Sequence, residues 1–154
     1  MQYWLMKSEP DVFSIDDLAK APRRTTGWDG VRNYQARNFM RDGMARGDQA
    51  FFYHSNCAEP GIAGIVEISR TAYPDHTAFD RKDPHYDPAS TPEEPRWYMV
   101  DVTLVRRMSR VITLAELRKK AEKELKGLAL LRRGNRLSIL PVSEKQWRVI
   151  VAME

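Results

Sequence analysis

Gln49-Ala50-Phe51-Phe52-Tyr53-His54-Ser55 and, five residues on, Gly61-Ile62-Ala63-Gly64-Ile65-Val66-Glu67-Ile68 decide the fold. The first run is aromatic. The second continues to Tyr73 and is rich in β-branched side chains, so both read as strands. Phe52 and Tyr53 alternate, which places one of them in a core and the other facing out. Gly61 and Gly64 open a strand, where they permit a bulge or a close backbone approach. A third strand reads from Trp97 to Met108, with Tyr98, Val100, Val102 and Leu104 on one parity. Three long strands in series predict a curved, partly closed sheet in an α+β domain.

Around these strands lie shorter elements. Gln2 to Lys7 is a first strand, broken by Ser8-Glu9-Pro10. Ser14 with Asp17 is a capping box, and Phe13 with Leu18 a hydrophobic staple, for a helix to about Lys20 that Pro22 stops. A second helix is expected from Asn33 or Tyr34 to Met44. Thr113 with Glu116 opens a third, with the apolar stripe Leu114, Leu117, Ala121, Leu125 and Leu128. Leu137 to Val142 is a short strand, and Ser143 with Gln146 caps a last helix. Pro74 to Pro95 holds five prolines and few aliphatics. It reads as a long loop, which in a compact domain is usually functional or disordered.

The 154 residues suit a single domain spanning 1–154. Hydrophobic residues make up 42% and charged residues 30%, the balance of a soluble globular protein. No apolar run approaches a membrane span. The N-terminus lacks the pattern of a signal peptide, and Cys57 is the one cysteine, so a cytoplasmic location is expected. Arg106 to Arg136 carries eleven Lys/Arg against three Glu, a local balance of +8. That block suits a polyanion such as nucleic acid, or is simply a solvated face. Arg106, Arg107, Arg132 and Arg133 are its candidate contacts to a phosphate backbone.

Three His and one Cys give no metal cluster at a recognisable spacing, and no cofactor motif is present. No nucleophile has a convincing base, so catalysis gains no positive support. The chemistry that is present is that of binding. Trp28-Asp29-Gly30-Val31-Arg32-Asn33-Tyr34 precedes the apolar period of its helix, which puts Trp28 on a loop. A Trp, an Arg and an Asn displayed together stack on a flat ring and hydrogen-bond its edge. Two plainer roles stand beside this one: Asn33 as the cap of the following helix, and Arg32 as an ion-pair partner of Asp29. Lys7-Ser8 and Tyr53-His54-Ser55-Asn56 each lie where a strand ends, a common place for a pocket. Trp28, Tyr34, Tyr53 and Tyr86 are the candidate stacking surfaces. Trp4 and Trp147 read as core, and Trp97 as either.

Taken together, several segments resemble the EVE domain, a family of the PUA-like superfamily. They are Tyr3 to Pro10, Trp28 to Asn38, Phe51 to Ser55, Pro60 to Gly64, Asp83 to Pro88, Trp97 to Val102 and Arg136 to Ile139. The resemblance covers essentially the whole chain, in order. It implies a PUA-like curved β-barrel of mixed strands with peripheral helices. It also implies a pocket between the ends of the first strands and the loop at Trp28. Carried over residue by residue, that pocket takes Lys7, Ser8, Trp28, Arg32, Asn33, Tyr34, Tyr53, His54 and Ser55. Tyr86 and Ser138 join by motif position, and His85 stands where an aromatic often stands in the family.

The family association is with modified bases in DNA, notably modified cytosine, and for some relatives with RNA. The resulting expectation is a non-catalytic domain that flips a modified base into an aromatic and polar pocket, with DNA ahead of RNA as partner. An RNA modified-base binder and a pocket for a free nucleoside are the alternatives. A hydrolase using His54 and Ser55 ranks last, since no carboxylate is placed to orient His54.

Overall fold

The computed structural model describes residues 1–154. Its backbone is a six-stranded sheet with short helices on both faces. The strands are β1 (Tyr3–Ser8), β2 (Thr25–Gly27), β3 (Gln49–His54), β4 (Gly61–Pro74), β5 (Tyr98–Thr113) and β6 (Ile139–Val142). The order across the sheet is β2-β5-β4-β3-β1-β6. Only β1 and β3 run parallel; every other pair is antiparallel. The ladder ends at β2 on one side and β6 on the other. The sheet is therefore open, not the closed barrel that the resemblance implies.

It is nevertheless strongly curled. The β4–β5 pairing shifts register at four places between Ile62 and Tyr73, and β3–β4 shifts between Phe52 and Tyr53. Each such irregularity bends its strand and increases the local twist. At Gly64 a Cβ would lie 2.7 Å from Ile15 Cδ1 and 3.0 Å from the Arg106 carbonyl. The close approach read from the two glycines is thus real.

Apolar residues occupy both parities of the central strands, because the sheet is covered on both faces. Trp4, Met6, Phe52, Val66, Ile68 and Val100 belong to one core, which also holds Trp28. Leu5, Phe51, Tyr53, Ile62, Trp147 and Ile150 belong to the other. Phe52 and Tyr53 are therefore both buried, on opposite faces. The outward-facing partner expected of that pair does not exist.

The helix starts are as read. In α1 (Ile15–Lys20), Asp17 N–H donates to Ser14 Oγ at 3.1 Å, and Ser14 N–H donates back to Asp17 Oδ2 at 2.8 Å. The same reciprocal box opens α3 (Leu114–Arg118) with Thr113 and Glu116, and α4 (Glu144–Ala152) with Ser143 and Gln146. The ends differ. The helix α2 (Tyr34–Asn38) passes into a π-turn over Phe39–Gly43, where Gly43 lies against the Trp4 ring. The third helix stops at Arg118, far short of Leu128. Beyond it, amides mostly bond three residues back, as Ala121 to Arg118 and Lys123 to Lys120. Leu117, Leu125 and Leu128 are still fully buried. A chain of turns buries Leu125 and Leu128 as a helix would, while Leu114 and Ala121 of the stripe stay half-buried. Lys119 and Lys123, four apart, oppose helix continuation.

The proline-rich segment after β4 is ordered by its aspartates. Asp80, Asp83 and Asp87 each accept the amide two residues on, at 2.8–3.0 Å. These are Asx-turns, the local bond that short acidic side chains make best. Asp87 also accepts Trp97 Nε1 at 2.6 Å, which ties the end of the segment to the start of β5. No helix is long and apolar enough to cross a membrane.

Candidate functional site

Parallel strands end on the same side of a sheet, so β1 and β3 deliver their last residues together. Ser8 pairs with His54 in register, and Ser55 N–H donates to the Ser8 carbonyl at 3.0 Å. On the other flank, Lys7 N–H donates to the Ser138 carbonyl at 2.9 Å as the chain enters β6. Curling of the sheet brings β2, at the far end of the ladder, over this corner. Thr26 and Gly27 of β2, the loop from Trp28 to Arg32, and His85 complete the enclosure. The result is a cleft of about 660 Å³. That volume is within the range of small-molecule sites.

The loop from Trp28 is held from below by one buried carboxylate. Asp75 is fully buried and follows β4 directly. It accepts Gly30 N–H at 2.8 Å, Thr77 N–H at 2.9 Å, Thr77 Oγ1 at 2.6 Å and Arg32 Nη1 at 2.9 Å. Burial pushes its pKa up, but the bonds from Thr77, Gly30 and Arg32 outweigh it and hold the carboxyl below its ordinary value. Arg32 also donates to the Val31 and His85 carbonyls and to Thr77 Oγ1, at 2.9–3.0 Å. Gly30 has φ +80°, and a Cβ there would meet the His85 ring at 2.9 Å. Only glycine lets the loop pass beneath that ring.

The side chains facing the cleft have distinct electrostatics. Ser8 Oγ donates to the Phe13 carbonyl at 2.6 Å, so its lone pairs remain to accept from a ligand. Lys7 and Arg136 line the cleft and make no ion pair within the chain. Burial lowers the pKa of Lys7. Asp29 is raised, first by burial and then by the charge of Asp75.

The EVE domain profile matches residues 2–153. The chain belongs to the EVE domain family. It is 50% identical over 167 residues to thymocyte nuclear protein 1 of Homo sapiens, covering 99% of this chain and 73% of that protein. A crystal structure of a Pseudomonas putida protein is similar at a TM-score of 0.92 and 51% identity, covering 98% of each chain. The crystal structure of human THYN1 protein in complex with 5-methylcytosine-containing DNA is similar at a TM-score of 0.95 and 49% identity. It covers 99% of this chain and 97% of that one.

Within this EVE domain, the cleft gathers Lys7, Ser8, Trp28, Arg32, Ser55 and Ser138 of the residues read from the sequence. It does not gather the rest. Asn33 caps α2, accepting Ala36 N–H at 3.0 Å. Tyr34 stands outside, stacked on Trp97 at 4.7 Å with the Arg37 guanidinium 4.7 Å from its ring. Tyr53 is buried in the core on the other face, which pushes its hydroxyl up to about 12. His54 Nε2 accepts Ile15 N–H at 3.1 Å, and burial lowers its pKa. That bond occupies the lone pair a hydrolytic base would use, and His54 makes no hydrogen bond to Ser55. Tyr86 lies outside the cleft, and its neighbour His85 lines it instead.

Two further expectations change. Trp28 does sit on a loop, but the residue is only 7% exposed, and its ring meets that of Phe52 in a T-shaped contact at 5.5 Å. It is as much core as wall. Arg32 pairs with Asp75, not Asp29. In the basic block, Arg106 pairs with Glu154 at 2.8 Å and Arg107 with Asp16 at 2.7 Å. Arg133 is exposed, and Arg132 borders a separate cavity of about 410 Å³ beside β6. No cluster of three or more His, Cys, Asp or Glu is placed to hold a metal ion.

Proposed function

We propose that this chain binds DNA carrying a modified base, with 5-methylcytosine as the base held in the cleft. The observation that carries the reading is the cleft itself. Trp28 forms part of one wall, serines from three chain segments line it, and so do Lys7 and Arg136, which make no ion pair within the chain. An aromatic side chain with a few polar groups around it suits a flat heterocycle, and cations beside it suit the flanking phosphates. On this reading the base leaves the stack and enters the cleft flipped out, since a cleft of this volume takes a single base. The human THYN1 protein complex with 5-methylcytosine-containing DNA, so similar in fold, supports the choice of ligand.

On this reading the phosphate backbone meets Lys7 and Arg136 before Arg106 and Arg107, whose charges are already answered by Glu154 and Asp16. The test is a binding panel of DNA and RNA oligonucleotides with cytosine or 5-methylcytosine, at two salt concentrations. Preference for methylated DNA is expected, with affinity for both DNAs falling as salt rises. Failure to bind any member overturns the reading. Equal, salt-insensitive binding of free 5-methyldeoxycytidine would replace it with a nucleoside pocket.

A further inference from the structure

Asp29 follows Trp28 directly and lines the cleft, yet its carboxylate makes no hydrogen bond and no ion pair with any group of the chain. The other carboxylates around it are satisfied. Glu9 accepts Asn56 Nδ2 at 2.5 Å, Asp83 accepts His85 N–H at 2.8 Å, and Asp75 accepts four donors. Burial and the nearby Asp75 charge both disfavour the ionised form of Asp29. Asp29 keeps an exposed face on the cleft, where only solvent meets its carboxylate in the free protein, beside the like charge of Asp75. Such a group is suited to a ligand that brings the donor with it.

Resting on the reading above, we infer that Asp29 selects cytosine: its carboxylate accepts a hydrogen from the exocyclic N4 amine of the base in the cleft. Thymine carries the same ring methyl as 5-methylcytosine but presents the O4 acceptor where cytosine presents that amine. The carboxylate attracts the first and repels the second. Ser8 reinforces the choice, because its hydroxyl proton is already given to Phe13 and it faces the cleft as an acceptor. Trp28 recognises a flat ring; Asp29 decides which ring. Discrimination against the wrong base edge by one such contact is roughly tenfold.

The experiment compares duplexes with one 5-methylcytosine or one thymine, each opposite an abasic site so that neither base pays pairing energy. The proteins are the wild-type chain, Asp29→Asn and Asp29→Ala, with thermal unfolding run alongside. Wild type is expected to favour 5-methylcytosine over thymine by roughly tenfold. Both variants should bring that ratio close to one while remaining folded. A wild-type ratio near one, or variants that keep the full wild-type ratio, overturns the inference. The cytosine against 5-methylcytosine comparison separates the two levels. If methyl preference persists and the Asp29 variants change nothing, the modified-base reading stands and only the role of Asp29 falls.

Discussion

Arg32 Nη1 lies 2.9 Å from Oδ2 of Asp75, and the same oxygen accepts the backbone N–H of Gly30 at 2.8 Å. The Asp75 side chain is fully buried and that of Arg32 is 21% exposed. One carboxylate thus fixes both the guanidinium and the peptide plane that follows Asp29. The most conspicuous cation of the Trp28–Tyr34 stretch braces the wall of the cleft.

Arg32→Ala leaves Asp75 with a buried charge and no counter-ion. Removing one partner of such a pair costs about 3–5 kcal/mol. Urea unfolding should report that loss. Arg32→Lys should recover only part of it, since a single ammonium cannot also reach the Thr77 hydroxyl and the His85 carbonyl.

Asp75 makes stability depend on acid. Its folded pKa is depressed, so its contribution is fully present above the ordinary value of 3.8 and is lost as the pH falls through the folded value. Unfolding free energies measured from about pH 5 down to about pH 1 should fall more steeply in wild type than in Asp75→Asn.

Gly30→Ala strains the loop twice, once through its φ of +80° and once against the His85 ring. The backbone share is roughly 1–2 kcal/mol. Combining Gly30→Ala with His85→Ala should remove only the steric share. The double mutant is therefore more stable than the two single losses added together, and additivity within error would contradict the contact.

Trp28→Ala should cost about 3–5 kcal/mol in stability, since the ring is a core member as well as a wall. Loss of binding in that variant says little by itself. Trp28→Phe is the informative change. It should stay folded and lose affinity for the methylated oligonucleotide without altering the salt dependence.

Lys7→Ala and Arg136→Ala should each weaken methylated and plain DNA alike and reduce the slope of log K against log salt by about 0.9. Arg106→Ala and Arg107→Ala, which break ion pairs to Glu154 and Asp16, should leave that slope nearly unchanged. The reverse pattern would move the backbone track to the basic block.

Much of this architecture was written in local signals. The three capping boxes at Ser14, Thr113 and Ser143 act within four residues, and all three form. The strand ends at Lys7-Ser8 and Ser55 are legible from composition, and parallel pairing of β1 with β3 brings them together. What stayed hidden depends on partners distant in sequence. Asp75 sits in an acidic, proline-rich segment like its neighbours, and nothing local marks it as the counter-ion of Arg32. Tyr53 looked amphipathic because a one-sided sheet was assumed, and coverage of both faces buried it. Of the stripe Leu114, Leu117, Ala121, Leu125 and Leu128, the residues Leu117, Leu125 and Leu128 are buried, Leu117 by the short helix and Leu125 and Leu128 by the turns that follow it. His85, not Tyr86, lines the cleft because a one-residue offset in an Asx-turn decides which side chain faces inward.

The unpaired edges of β2 and β6 face each other across the cleft. Thr26 and Gly27 lie on one rim, and Arg136 and Ser138 near the other. No ladder hydrogen bonds join the two edges. The gap between the rims is therefore a bending coordinate of β4 and β5, hinged at their register shifts. A change in that gap requires no ladder hydrogen bond between the two edges to break, because none is there. Closed barrels lack that freedom, because their circumference is fixed by strand number and shear.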